Sequence, residues 1–107
     1  MEIREKIEQC INCHQIVLFM KGDASFPQCG FSAHAVSILR KYQRDFHAVN
    51  ILEDQEMRQE LKEYSDWPTY PQLYVNGEFI GGVDIMQEMD DASELSELFS
   101  SITQVTE

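Results

Sequence analysis

The chain has no apolar run long enough for a membrane. Its longest, Ile16 to Met20, falls far short of the roughly 20 residues that cross a bilayer as a helix. It is also poor in cations: Lys and Arg number 8 against 19 Asp and Glu, a formal charge of −11 with neutral histidines. Repulsion therefore disfavours nucleic acid and anionic membrane surfaces as partners. The start, Met1-Glu2-Ile3-Arg4-Glu5-Lys6, carries both signs of charge and leads into no apolar h-region. Neither a secretory signal nor an acid-poor transit peptide is expected, and the expected location is cytoplasmic. Cysteines number only three, and an odd count without a leader points to reduced or reacting thiols rather than a disulfide scaffold. No repeat, low-complexity stretch or linker interrupts the 107 residues, a length that suits one domain, 1–107, with its own core.

What is present reads as alternating elements. Ile3, Ile7, Cys10 and Ile11 recur at helical spacing between charged residues, predicting an amphipathic helix over the first dozen positions. The run Ile16-Val17-Leu18-Phe19-Met20 reads as a strand buried on both faces. A loop from Asp23 to Gln28 follows. From Gly30, the pattern Phe31, Ala35, Val36, Ile38, Leu39, Tyr42 predicts a helix ending among Arg40, Lys41 and Arg44, cations suited to a helix C-terminus. Phe46 to Leu52 reads as a second strand, crossing over in parallel with the first. Met57, Leu61 and Tyr64 define a third helix with Asp54 as N-cap. Asn76-Gly77, between Gln72–Val75 and Glu78–Gly81, is the strongest short-range signal for a two-residue hairpin. Asp84 to Met89 and Ser93 to Ile102 read as closing helices, with a frayed tail from Gln104 to Glu107. The expected class is α/β: a mixed four-stranded sheet flanked by helices, the thioredoxin-like architecture.

Cys29, in Pro27-Gln28-Cys29-Gly30-Phe31-Ser32, falls between the first strand and the second helix. The first amides of a helix lack internal partners and carry partial positive charge, so a cysteine there ionises easily. A lone cysteine is often just a small buried hydrophobe, but the flanks favour chemistry. Gly30 lets the chain turn closely into the helix, Phe31 can shelter the sulfur, and Lys21 brings a cation to the same sheet end. Three residues on, where a dithiol protein has its second cysteine, stands Ser32, whose hydroxyl cannot resolve a mixed disulfide.

Other features gain weight from that neighbour. In Trp67-Pro68-Thr69-Tyr70-Pro71-Gln72, Pro71 opens a strand, and a cis bond before it would turn the Tyr70 backbone outward to pair with an extended peptide such as a tripeptide. Lys21 and Arg58 could take carboxylates, and Asp84, after Gly81-Gly82, an amine; singly, each would be an ordinary solvated charge. Cys10-Ile11-Asn12-Cys13-His14 matches the c-type haem attachment pattern literally. That reading is rejected, because no export signal precedes it and Cys10 lies on the core stripe of the first helix. One packed cysteine and one near a helix end is the preferred account, with a Cys10–Cys13 disulfide as the redox alternative. The histidines lack paired zinc-ligand spacing with this pair, and no nucleophile elbow is present.

The assembled motifs closely resemble the monothiol glutaredoxins of the CGFS class. The resemblance runs from about Ile16 to Met89 through Phe19-Met20-Lys21-Gly22, Cys29-Gly30-Phe31-Ser32, Trp67 to Val75 and Gly81-Gly82-Val83-Asp84-Ile85. It implies a thioredoxin fold in which Lys21, Arg58, Tyr70, Val83 and Asp84 hold glutathione and Cys29 ligates a [2Fe-2S] cluster. Val83 replaces a cysteine common in the family, removing a candidate resolving thiol while leaving its backbone able to bind. Such a cluster takes four thiolates, so the resemblance implies a homodimer bridged by the cluster, with two glutathione thiols completing the set. The implied role is cluster delivery to apo iron–sulfur proteins, with BolA-type proteins as further partners. Glutathione-dependent reduction of glutathionylated proteins, with Cys29 as nucleophile, is the alternative.

Overall fold

The computed structural model describes residues 2–102; the tail expected at Gln104 to Glu107 lies outside them. Helix α1 (Ile3–Cys13) leads into strand β1 (Ile16–Met20), helix α2 (Gly30–Arg40), strand β2 (His47–Asn50) and helix α3 (Gln55–Ser65). Strands β3 (Gln72–Val75) and β4 (Glu78–Gly81) form the hairpin, and helices α4 (Val83–Asp91) and α5 (Glu94–Ser100) close the fold. The strand order is β2-β1-β3-β4. β1 pairs with β2 in parallel and with β3 antiparallel, at registers that set Leu18 opposite Ala48 and Leu73. The mixed four-stranded sheet expected from the sequence is therefore the observed one.

β1 explains the two-sided core. Side chains alternate across a strand, so Ile16, Leu18 and Met20 face α2, α4 and α5, packing with Ile38, Leu39, Met86, Leu95 and Phe99. Val17 and Phe19 face the opposite way, toward α1 and α3, with Ile7, Ile11, Leu61, Tyr70 and Tyr74. All five residues of β1 are buried, as a continuous apolar strand requires.

Local signals place the element ends. The Asp54 carboxylate accepts from the Met57 amide at 3.0 Å and starts α3. Asn76 and Gly77 turn the hairpin at φ 52° and 82°, the left-handed values such a turn demands. Two expectations shift. The second strand ends at Asn50 instead of running to Leu52, and Ile51–Glu53 form a short 3₁₀ turn. The cause is the Asn50 side chain, whose Oδ1 accepts from the amides of Leu52 and Gly22, each at 3.0 Å. It curls the chain inward and ties it to the loop after β1. α2 likewise stops at Arg40, and a turn through Gln43, at φ 55°, follows.

Two side-chain links fix the helices that flank the site. Arg4 on α1 donates to Glu60 on α3 at 2.6 and 3.0 Å and lies 5.1 Å from the Tyr64 ring centre. Beyond α2, the Lys41 ammonium at 2.5 Å and the Tyr42 hydroxyl both donate to Asp90 on α4. These bonds hold the Asp90 carboxyl below its usual range, while burial, aided by Asp90, pushes Tyr42 up to about 12. Among the described residues no helix is long and apolar enough to cross a membrane.

Candidate active-site cleft

Cys29 is the N-cap of α2, with extended backbone at φ −155° and ψ 150°. Its thiol is partly exposed. Desolvation pushes the thiol pKa up, but the Ser32 amide, the Ser32 hydroxyl, the Phe31 amide and the Lys21 charge together outweigh it, and the net shift is downward. The helix-terminus argument made from the sequence is thus realised by named donors.

Ser32 does more than mark a missing cysteine. It is fully buried. Its Oγ lies 3.8 Å from Cys29 Sγ and accepts from the Lys21 amide at 3.0 Å. One hydroxyl therefore joins the end of β1 to the first turn of α2 and keeps the Lys21 cation near the thiol. The expected result of Ser32→Ala is a Cys29 pKa displaced upward, read as an alkylation-rate profile moved to higher pH. The half-buried Lys21 amide also loses its acceptor, at a cost of about 1–3 kcal/mol in unfolding free energy.

The far wall is set by the loop between α3 and β3. α3 ends at Asp66, in the left-handed region at φ 54°. The chain then passes through Trp67 to a cis Tyr70–Pro71 bond. The buried Gln72 amide donates to the carbonyls of Trp67 at 3.1 Å and Thr69 at 3.3 Å, pinning the loop from beneath. Tyr70 turns its ring into the core, only 6 % exposed, and its hydroxyl donates to the Arg58 carbonyl at 2.5 Å. Burial raises its pKa to about 12.

A cleft of about 370 Å³ lies between these parts. Lys21, Cys29, Arg58, Tyr70, Val83 and Asp84, the six residues singled out in the sequence, all line it. Lys62 lines it too and was missed, although its place four residues beyond Arg58 on one helix face was a readable signal. Three cations thus face one carboxylate in a chain whose net charge is −11. Phe31, expected on the apolar stripe of α2, is instead 63 % exposed at the cleft mouth. Trp67 Nε1, on the opposite wall, is buried and finds no hydrogen-bond partner among the described residues. The other two thiols stand elsewhere: Cys13 is exposed and Cys10 partly buried on α1, ahead of β1. Among the described residues no group of three His, Cys, Asp or Glu side chains is arranged to hold a metal ion.

Residues 16–80 match the family model for glutaredoxin. The chain belongs to the glutaredoxin family. Its curated relatives include the chloroplastic monothiol glutaredoxin-S14 of Arabidopsis thaliana, 50 % identical over 96 residues that cover 90 % of this chain and 56 % of the relative. This glutaredoxin thus spans little more than half of that plant protein. A monothiol glutaredoxin of Synechocystis is 47 % identical over 97 residues, 91 % of each chain. The solution structure of reduced apo GrxS14 from poplar superposes with a TM-score of 0.81 at 49 % identity, covering 92 % of this chain and 90 % of that one. These relatives mark this glutaredoxin as a monothiol one, and the fold is thioredoxin-like.

Proposed function

We propose that this glutaredoxin binds glutathione in the cleft and carries a [2Fe-2S] cluster to apo iron–sulfur proteins. The observation that carries the reading is a single activated thiol, Cys29, opening on a cleft with no second thiol in its walls. Glutathione offers two carboxylates, one ammonium and peptide groups. Lys21, Arg58 and Lys62 suit the carboxylates and Asp84 the ammonium. With the Tyr70 ring turned inward, the backbone of Tyr70 and Val83 is what remains for the peptide groups. A glutaredoxin from buckwheat has been solved as a glutathione complex.

Ligand chemistry supports the cargo. A [2Fe-2S] cluster is held by four thiolates, and this cleft provides one. Two copies and two glutathione molecules supply four, which makes the cluster-loaded form a homodimer that separates when its cargo leaves. The resemblance adds BolA-type proteins as further partners. A second reading, reduction of glutathionylated proteins, is favoured by the lowered Cys29 pKa, because a thiolate is the attacking form. A second glutathione would resolve the adduct.

Anaerobic reconstitution with iron, sulfide and glutathione separates the two readings. The expected product absorbs in the visible, holds one cluster per two chains and elutes as a dimer, becoming a monomer on chelation. Rapid turnover of a glutathionylated substrate by a chain that takes up no cluster would overturn the carrier reading.

A further inference from the structure

The Cys10–Cys13 pair is not absorbed by that function. The two thiols occupy positions i and i+3 of the last turn of α1, so they share one helix face. Both are free; Cys13 is exposed and Cys10 half-buried against the core beneath α1. Burial, and behind it the proximity of Cys13, holds the Cys10 thiol above its usual range. Cys13 also borders a polar hollow of about 460 Å³, with Arg44, Asp45 and the stacked rings of His14 and His47, 4.0 Å apart, around it.

We propose that Cys10 and Cys13 form a second thiol–disulfide centre, independent of Cys29, whose oxidant is a low-molecular-weight disulfide such as glutathione disulfide. Cys13, the accessible thiol, loses its proton to solvent and attacks one sulfur of the disulfide; a Cys13–glutathione bond forms, the S–S bond breaks, and one glutathione leaves as a thiolate that takes up a proton from solvent. Cys10 then loses its proton to solvent and displaces the second glutathione. Two protein thiols are oxidised to one disulfide, and one glutathione disulfide is reduced to two glutathiones. The reverse sequence regenerates the dithiol.

Geometry favours this place over the interior of a helix. Helical i, i+3 neighbours hold their Cβ atoms about 5–6 Å apart, whereas a disulfide needs about 3.8 Å, so the turn must tighten or unwind. Cys13 is the final residue of α1, and His14 is already extended at φ −131°, ψ 141°. Few helical hydrogen bonds are given up there. The centre is also isolated. Cys13 precedes β1 and Cys29 follows it, and a five-residue strand spans roughly 13 Å at about 3.3 Å per step, too far for direct exchange. Arg44 supplies a local cation for an anionic disulfide approaching a chain of charge −11.

The test uses the full chain carrying Cys29→Ser, equilibrated anaerobically in glutathione redox buffers and read by intact mass after acid quenching. The expected product is two hydrogens lighter, without a glutathione adduct, and peptide mapping of wild type locates the same Cys10–Cys13 bond. Adding Cys10→Ser should instead trap a stable glutathione adduct on Cys13, and adding Cys13→Ser should remove the reaction. A Cys29→Ser chain that stays fully reduced, or stops at the Cys13 adduct with Cys10 present, overturns the proposal. Neither result bears on cluster binding at Cys29.

Discussion

A Cys29→Ser chain is expected to stay colourless after anaerobic reconstitution and to elute as a monomer with or without iron, sulfide and glutathione. Turnover of glutathionylated substrate should fall to background as well, a loss of several orders of magnitude, because both readings start from this sulfur. Serine keeps the N-cap position and suits it, and the side chain is partly exposed, so the thermal midpoint should hardly move. That contrast between unchanged stability and lost chemistry is the check. Visible absorption retained by the variant at wild-type intensity would show that the cluster uses other ligands.

Gly22→Ala is expected to give the opposite pattern, a large structural loss one step from the thiol. Gly22 sits at φ +91°, and an added Cβ would stand 2.5 Å from the Phe26 carbonyl and 2.6 Å from the Gln28 amide. Both obstacles are backbone, so no side chain can swing aside. The left-handed strain and the overlap together should cost about 3 kcal/mol or more, a fall in melting temperature on the order of 10 °C for a domain of this size. The damage should be directional. Gly22 donates to Asn50 Oδ1 at 3.0 Å and bridges to Pro27, while the Gln28 amide donates to the Lys21 carbonyl at 2.8 Å. Moving this loop moves Lys21 and Cys29 together, so Cys29 alkylation at neutral pH should slow along with the loss of stability. Unchanged melting would mean that the loop relaxes around the new methyl.

Where the sequence speaks through backbone chemistry, it was readable. The Asn76-Gly77 hairpin, the Asp54 cap and the buried run of β1 each rest on one local preference that nothing distant opposes. The errors occur where a side chain overrules the pattern. Ile51 and Leu52 look like strand, but Asn50 captures the Leu52 amide and bends the chain. Phe31 looks like a core residue, yet the inward position of the first turn of α2 belongs to Ser32, whose small hydroxyl leaves no apolar signature. The cleft follows the same rule. Lys21, Arg58 and Cys29 were legible one by one, because thiolates and carboxylates have few partners, whereas Lys62 was passed over among the other charges of α3. The sequence already points the Tyr70 backbone outward through Pro71, but the bond from the Tyr70 hydroxyl to the Arg58 carbonyl, which holds the ring inside, is a tertiary contact outside any local pattern.

The division of the core by the sheet has a mechanical side. α3, bearing Arg58 and Lys62, rests on one half-core, while α4, opening with Val83 and Asp84, rests on the other. Side chains of α3 and the first turn of α4 line the same cleft. A molecule gripped by both walls at once is a removable cross-link between two otherwise separate layers, and the resistance of the domain to unfolding becomes a gauge of its occupancy. Such a tie adds about 2.7 kcal/mol when the free molecule stands at a hundred times its dissociation constant. Thermal stability would then track the supply of the molecule that fills the cleft.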